Sequence, residues 1–160
     1  MDLRTARPGD AAAVARIWLA GWRDGHLGNV PDELITARTP ESFSERAAER
    51  MDDDTLVAVV AGEVAGFVMV VDDELEQVYV SPAHRGSGVA TALLDAGERL
   101  VAAKGHPRAW LAVVGGNARA RRFYQRQGWT DEGPFDHHAP GPDGPITVPA
   151  HRYTKPVAPG

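Results

Sequence analysis

The chain has 160 residues, no cysteine and a formal charge of -5. That length suits one domain, able to bury about 70% of the surface its unfolded chain exposes, while the lack of thiols excludes disulfides, thiolate metal sites and a cysteine nucleophile. The acidic balance gives no general attraction to nucleic acid or anionic membrane and no apolar run is long enough to cross a bilayer, so a cytoplasmic protein with neither partner is expected, even though Arg119, Arg121, Arg122 and Arg126 form a local basic patch.

Asp2 to Ala6 reads as a short strand, followed by the turn Pro8, Gly9, Asp10, whose Asp is placed to cap a helix. Val14, Ile17, Trp18, Gly21 and Trp22 then recur at helical spacing, which marks a buried face. Gly25, Gly28 and Pro31 interrupt it, and a second helix is expected through the polar stretch from Asp32 to Arg50. Thr55 to Val60 and Val64 to Val71 are β-branched runs separated by Ala61, Gly62 and Glu63, a hairpin signature. A third strand, Leu75 to Val80, follows an acidic turn and stops at Pro82.

Val89, Leu93, Ala96 and Leu100 line one face of the next helix, which Gly105 and Pro107 end. Arg108 to Val114 is a further strand, and Asn117 opens a helix that Gly128 closes in the left-handed conformation. Trp129 to Phe135 and Ile146 to Tyr153 read as two strands joined by a long loop rich in Pro and Gly. This order predicts a single α/β (α+β mixed) domain over residues 1–155, with a mixed, mostly antiparallel sheet of about seven strands and helices on both faces. Residues 156–160 would form a short tail.

The segment from Val78 to Leu94, VYVSPAHRGSGVATALL, carries the strongest chemical signal. A strand, a turn at Pro82, a glycine-containing loop and a helix make an anion site, because the first amides of a helix lack partners and glycines let a phosphate approach the backbone. Three readings compete. In the first, Gly86 and Gly88 form a tight turn and nothing more. In the second they start a dinucleotide-type GxG pattern, but Thr91 stands where its third Gly belongs and no acid ends the next strand. A P-loop fails as well, since no Gly-Lys-Ser/Thr follows.

In the third reading, Arg85, Gly88 and Ala90 resemble the acetyl-CoA loop of the GNAT (GCN5-related N-acetyltransferase) superfamily. A second match lies downstream in NARARRFYQRQGW, from Asn117 to Trp129. The resemblance implies a sheet splayed into a V-shaped gap between the strands ending at Val80 and Val114, with acetyl-CoA as cosubstrate. By this resemblance the backbone of Val78, Tyr79 and Val80 would pair with the pantetheine arm, and amides from Gly86, Ser87, Gly88, Val89, Ala90 and Thr91 would hold the diphosphate. Asn117 would meet the pantetheine, and Tyr124 would protonate the departing sulfur. Asn117 as a plain helix cap and Tyr124 as a core aromatic are the structural alternatives.

The implied reaction is direct attack of a primary amine, from a small molecule, a peptide N-terminus or a lysine, on the thioester. Glu76 shares strand parity with Val78 and Val80, and so faces the acceptor as a base provided no bulge intervenes. A solvated acid is the alternative, and His26 and His138 are further candidates for the base, each with a surface or pocket role as its alternative. Relatives with a catalytic Glu five residues before the Asn differ from this chain, which has Ala112 there. Trp22 and His26 fall where relatives shape the acceptor pocket. His84, His106, His137, His138 and His151 show no paired spacing of the zinc-binding kind, and no metal is expected. Competing functions are a catalytically inactive acyl-CoA-binding sensor or partner domain and a nucleotide-dependent oxidoreductase; homodimer formation is left open.

Overall fold

The computed structural model describes residues 1–157 and contains one seven-stranded sheet in the order β1-β2-β3-β4-β5-β7-β6. The strands are β1 (Asp2–Thr5), β2 (Thr55–Val60), β3 (Glu63–Val71), β4 (Glu74–Val80), β5 (Arg108–Val114), β6 (Thr130–Ala139) and β7 (Ile146–Pro156). All neighbours run antiparallel except β4 and β5. Five helices complete the fold: α1 (Ala11–His26), α2 (Asp32–Ala37), α3 (Pro40–Glu49), α4 (Val89–Ala103) and α5 (Ala118–Arg126). Of the tail expected at 156–160, Pro156 ends β7 and residues 158–160 lie outside the described residues.

The sheet has a core on each face, which is what its central strands, apolar on both sides, require. On one face Val68, Leu75, Leu111 and Tyr153 pack with Leu93, Leu94 and Val101 of α4. On the other, Phe67 and Met69 meet Val14, Ile17, Trp18 and Trp22 of α1 and Phe43 of α3. Trp18 stands edge-on to Phe43 with centroids 5.6 Å apart, a geometry that suits the ring quadrupoles.

Three local departures from the sequence expectation bear on function. The stretch Asp32 to Arg50 forms two helices, because Pro40 drives Thr39 into an extended conformation (φ -79°, ψ 160°). Thr39 then caps α3 by accepting from the Ser42 amide at 3.2 Å, and Arg38 is left in the turn between the helices. Asp10 does not cap α1 through its side chain. Its carboxylate accepts from the Arg4 guanidinium at 2.7 and 3.0 Å and from the Arg7 amide at 2.8 Å, which fixes β1 to the start of α1. Finally, β6 continues past Phe135 to Ala139, so the loop to β7 is confined to residues 140–145.

Candidate active site

β4 and β5 are in register only at Glu74 and Trp110 and diverge beyond it. Val80 pairs with Gly66 and Val78 with Val68 across β3, while Ser81 donates to the Ala65 carbonyl at 2.7 Å. Antiparallel alternation therefore turns the amides of Val78 and Val80 away from β3 and into the gap. A strand edge inside the sheet is left without a strand partner, open to an extended ligand.

One cleft of about 520 Å³ occupies the outer part of this gap. Val78, Tyr79, Val80, Arg85, Gly86, Gly88, Ala90, Thr91, Asn117 and Tyr124 line it. Gly86 and Gly88 have φ of +76° and +85°, a region where a side chain would be strained, and no side chain caps α4 at Gly88. The amides at the start of this helix therefore face the cleft at the positive end of the helix dipole. Val89 is placed differently, its side chain buried in the core beneath α4, so only its amide is left to serve a ligand. The exposed Ser87 donates its hydroxyl to the His84 carbonyl.

Arg119 and Arg126 add positive charge to the same cleft, with Arg85, whose guanidinium meets Asp24 of α1 at 2.5 Å. From sequence the arginines of α5 read only as a patch, although 119, 123 and 126 follow helical spacing and so share a face. Arg121 points elsewhere. It donates to the Tyr153 hydroxyl, the Gly115 carbonyl and Asp131, each at 3.2 Å, and so clamps α5 to the strands.

That clamp fixes Asn117 and Tyr124. Asn117 caps α5, its Oδ1 accepting from the Ala120 amide at 3.2 Å, and its side-chain nitrogen approaches Gly25 of α1. Tyr124 packs its ring against Phe123, Trp129 and Tyr153. Burial pushes its phenol up to about 12, so it keeps its proton at neutral pH. Gly21 of α1 allows the Tyr79 ring to lie directly against the helix backbone.

A second, smaller cavity of about 180 Å³ lies between α1, α2, α3 and the strands. It abuts the outer cleft along Val78, Tyr79, Asn117, Ala120 and Tyr124, which line both. Trp22 and His26 form one wall, stacked with ring centroids 4.5 Å apart. His26 Nδ1 lies 2.8 Å from the Trp22 carbonyl, which can only accept, so Nδ1 carries the proton and Nε2 is bare in the neutral ring. Burial outweighs that bond and, with Arg38 and His137 nearby, lowers the imidazole to about 4.

Glu76 reaches this cavity by a route the strand parity did not foresee. The register slips between Met69 and Val70, so that Met69 faces Gln77 and Val70 faces Leu75; Glu76 is the extra residue of a β-bulge. Its carboxylate is thereby on the α3 side, 2.7 Å from the Arg50 guanidinium. Glu74 also lines the cavity, and burial, reinforced by Glu76 and Asp73, pushes its carboxyl up to about 7. Arg38, Arg46 and His137 also line it. None of these four was singled out from sequence for the site, since their approach depends on a turn, a bulge and a strand extension. Among the described residues no helix is long and apolar enough to cross a membrane.

A sequence profile described as the Acetyltransferase (GNAT) family matches residues 13–129. An uncharacterized N-acetyltransferase of Mycobacterium tuberculosis is 34% identical over 111 residues, 64% of this chain and 71% of that protein. Streptothricin acetyltransferase of Streptomyces lavendulae is 32% identical over 154 residues, covering 80% of each chain. The structure of yncA from Salmonella typhimurium with its cofactor acetyl-CoA superposes with a TM-score of 0.70 at 20% identity, over 99% of this chain and 94% of the other. The splayed seven-stranded sheet, the uncapped glycine-led helix and these matches lead to one assignment: the chain belongs to the GNAT acetyltransferase family and is an acyltransferase.

Proposed function

We propose that this protein transfers the acetyl group of acetyl-CoA to a primary amine by direct attack. The observation that carries this reading is the meeting of two cavities at Val78, Tyr79, Asn117, Ala120 and Tyr124. The outer cleft suits CoA: the amides at the start of α4, with Arg85, Arg119 and Arg126, supply positive potential for its phosphates. The unpaired edge of β4 suits the pantetheine amides. The inner cavity then receives the amine.

In the reaction the amine nitrogen forms a bond to the thioester carbon, and the carbon–sulfur bond breaks with its electron pair on sulfur. The carbonyl oxygen gains charge in between, and the Val80 amide, turned into the gap, is the donor proposed for it. Tyr124, protonated and lining both cavities, gives its proton to the sulfur. The surplus proton of the amine leaves through water, with Glu76 as the proposed acceptor and the bare Nε2 of His26, which lines the same cavity, as a second acceptor.

The test is CoA release with acetyl-CoA across a broad amine panel, with the N-acetyl product identified by mass. Product formed in step with CoA supports the reading. Binding of acetyl-CoA without turnover for any amine would instead make the protein a CoA-binding domain without catalysis. Stabilisation by NADH and not by acetyl-CoA would remove the cleft assignment altogether.

A further inference from the structure

The inner cavity is electrostatically unbalanced. Arg38 is 9% exposed and Arg46 is half-buried, and both line the cavity. Neither has a carboxylate within ion-pair distance among the described residues. Arg38 donates one hydrogen bond at 2.6 Å, to the Pro140 carbonyl, which orients the guanidinium but leaves its charge unanswered. Arg46 lies 4.4 Å over the Trp18 ring, again without a full counter-charge. Burial disfavours the charged form of Arg38, and the Arg46 guanidinium adds to that effect. Burying two like charges this way is costly unless a partner of opposite charge arrives.

The acids of the cavity answer this charge only in part: Glu76 favours the charged form of Arg46 without forming an ion pair with it. Glu76 is already held by Arg50 at 2.7 Å. Glu74, pushed up to about 7, is only partly ionised at neutral pH. The neutral His26 and the Trp22 ring line the same cavity and add no negative charge to it. The volume, about 180 Å³, is below the roughly 300–1,000 Å³ usual for drug-sized ligands. The Arg38 bond to Pro140 also ties the turn after α2 to the loop after β6, residues 102 positions apart.

We infer that the acceptor is a small zwitterionic molecule whose oxyanion, a carboxylate or phosphonate, is held by Arg38 and Arg46 while its amine lies at the junction beside Tyr124. Planar guanidinium forks suit such oxyanions and add orientation as well as charge. An amine held at one end and an anion at the other fix the small molecule along the cavity, which is how the attacking nitrogen is aimed. This assignment rests on the reading of the inner cavity as the acceptor site.

The experiment separates the inference from that reading by measuring binding and turnover independently. The CoA-saturated protein is titrated calorimetrically with four matched series: amino acids, their carboxamides, the decarboxylated amines and the corresponding aminophosphonates. The expected result is at least tenfold tighter binding of the carboxylate or phosphonate member than of the matched amide and amine; which of the two oxyanions leads identifies the anion. Arg38→Gln and Arg46→Gln should each reduce that preference by tenfold or more, with acetyl-CoA affinity unchanged. Should Arg38→Gln fail to fold, Arg46→Gln alone carries the test, because its only described aromatic contact is lost without breaking the bridge to Pro140. Equal binding across the series, no binding of any probe, or a preference that survives in Arg46→Gln overturns the inference. Turnover of the amines that lack an oxyanion, with no preference for those that carry one, would do so while leaving the acetyltransferase reading intact; tight oxyanion binding without any turnover would have the opposite meaning.

Discussion

The Glu76 carboxylate and the Arg50 guanidinium lie 2.7 Å apart, and the contact exists because a one-residue bulge in β4 rotates Glu76 out of line with Val78. Paired in this way, Glu76 would accept a proton only through water. Two roles then differ in a measurable way. As a proton acceptor, Glu76→Gln should lower kcat at least tenfold while Arg50→Gln costs much less. If Glu76 merely neutralises Arg50, the two single variants should be equally active and the double variant no worse than either.

Tyr124→Phe removes one hydroxyl and keeps the ring that packs on Trp129 and Tyr153. Turnover with a good acceptor should fall by roughly a hundredfold, with melting temperature and acetyl-CoA affinity near wild type. Because burial holds the phenol up to about 12, the acid form is nearly full up to about pH 10. The rate should therefore show no alkaline limb from Tyr124 between about pH 6 and 10. A limb in that range that vanishes in Tyr124→Phe would keep Tyr124 as the acid and contradict its raised pKa; full activity in Tyr124→Phe would contradict the acid role itself.

Acetyl-CoA at a hundred times its dissociation constant should stabilise the fold by about 2.7 kcal/mol if it binds the folded state alone. Gly88 has φ of +85° and no atom within 4 Å of the place a Cβ would take, so a larger side chain meets backbone strain and not a clash. Gly88→Glu should cost about 1–2 kcal/mol in stability. Its carboxylate would also stand at the start of α4 and repel the diphosphate, so the ligand-induced shift in melting temperature should disappear. Retention of the full shift in a folded variant would exclude this loop from CoA binding.

Glu74 makes stability depend on pH in a defined direction. Its folded pKa is raised to about 7 from an ordinary 4.5, so the folded state holds a proton that the unfolded state releases. The contribution is fully present below about pH 4.5 and is lost as pH rises through about 7. Glu74→Gln should therefore gain on wild type from pH 5 to pH 8, by at most about 2 kcal/mol once partial solvent screening is allowed for. Urea midpoints of both proteins at the two pH values measure this; a gap that stays constant or closes with rising pH contradicts it.

Gly21→Ala would place a methyl group against the Tyr79 ring, which is half-buried between α1 and the junction of the two cavities. Displacing the ring should cost about 1–3 kcal/mol and should weaken acetyl-CoA binding, since Tyr79 lines both spaces. Gly25→Ala makes a useful comparison. Its methyl would come within 2.8 Å of the Asn117 side-chain nitrogen, which can turn away more readily than a packed ring. A smaller loss of stability is expected there, read from thermal melts of the two variants.

The sequence by itself determined the elements whose signals are local. Gly86 and Gly88 before an apolar helical face, Asn117 as the cap of α5 and Gly128 in the left-handed conformation all stand where residue type and spacing put them. The reason is that backbone conformation, capping and periodicity are decided within a few residues. The tertiary structure alone decided the inner cavity. Glu76 faces it because of an unpaired residue in β4, which no residue type announces, and Arg38 enters it from the break that Pro40 imposes between α2 and α3. Burial of these charges, and whether each meets a partner, depends on strands and helices far apart in the chain.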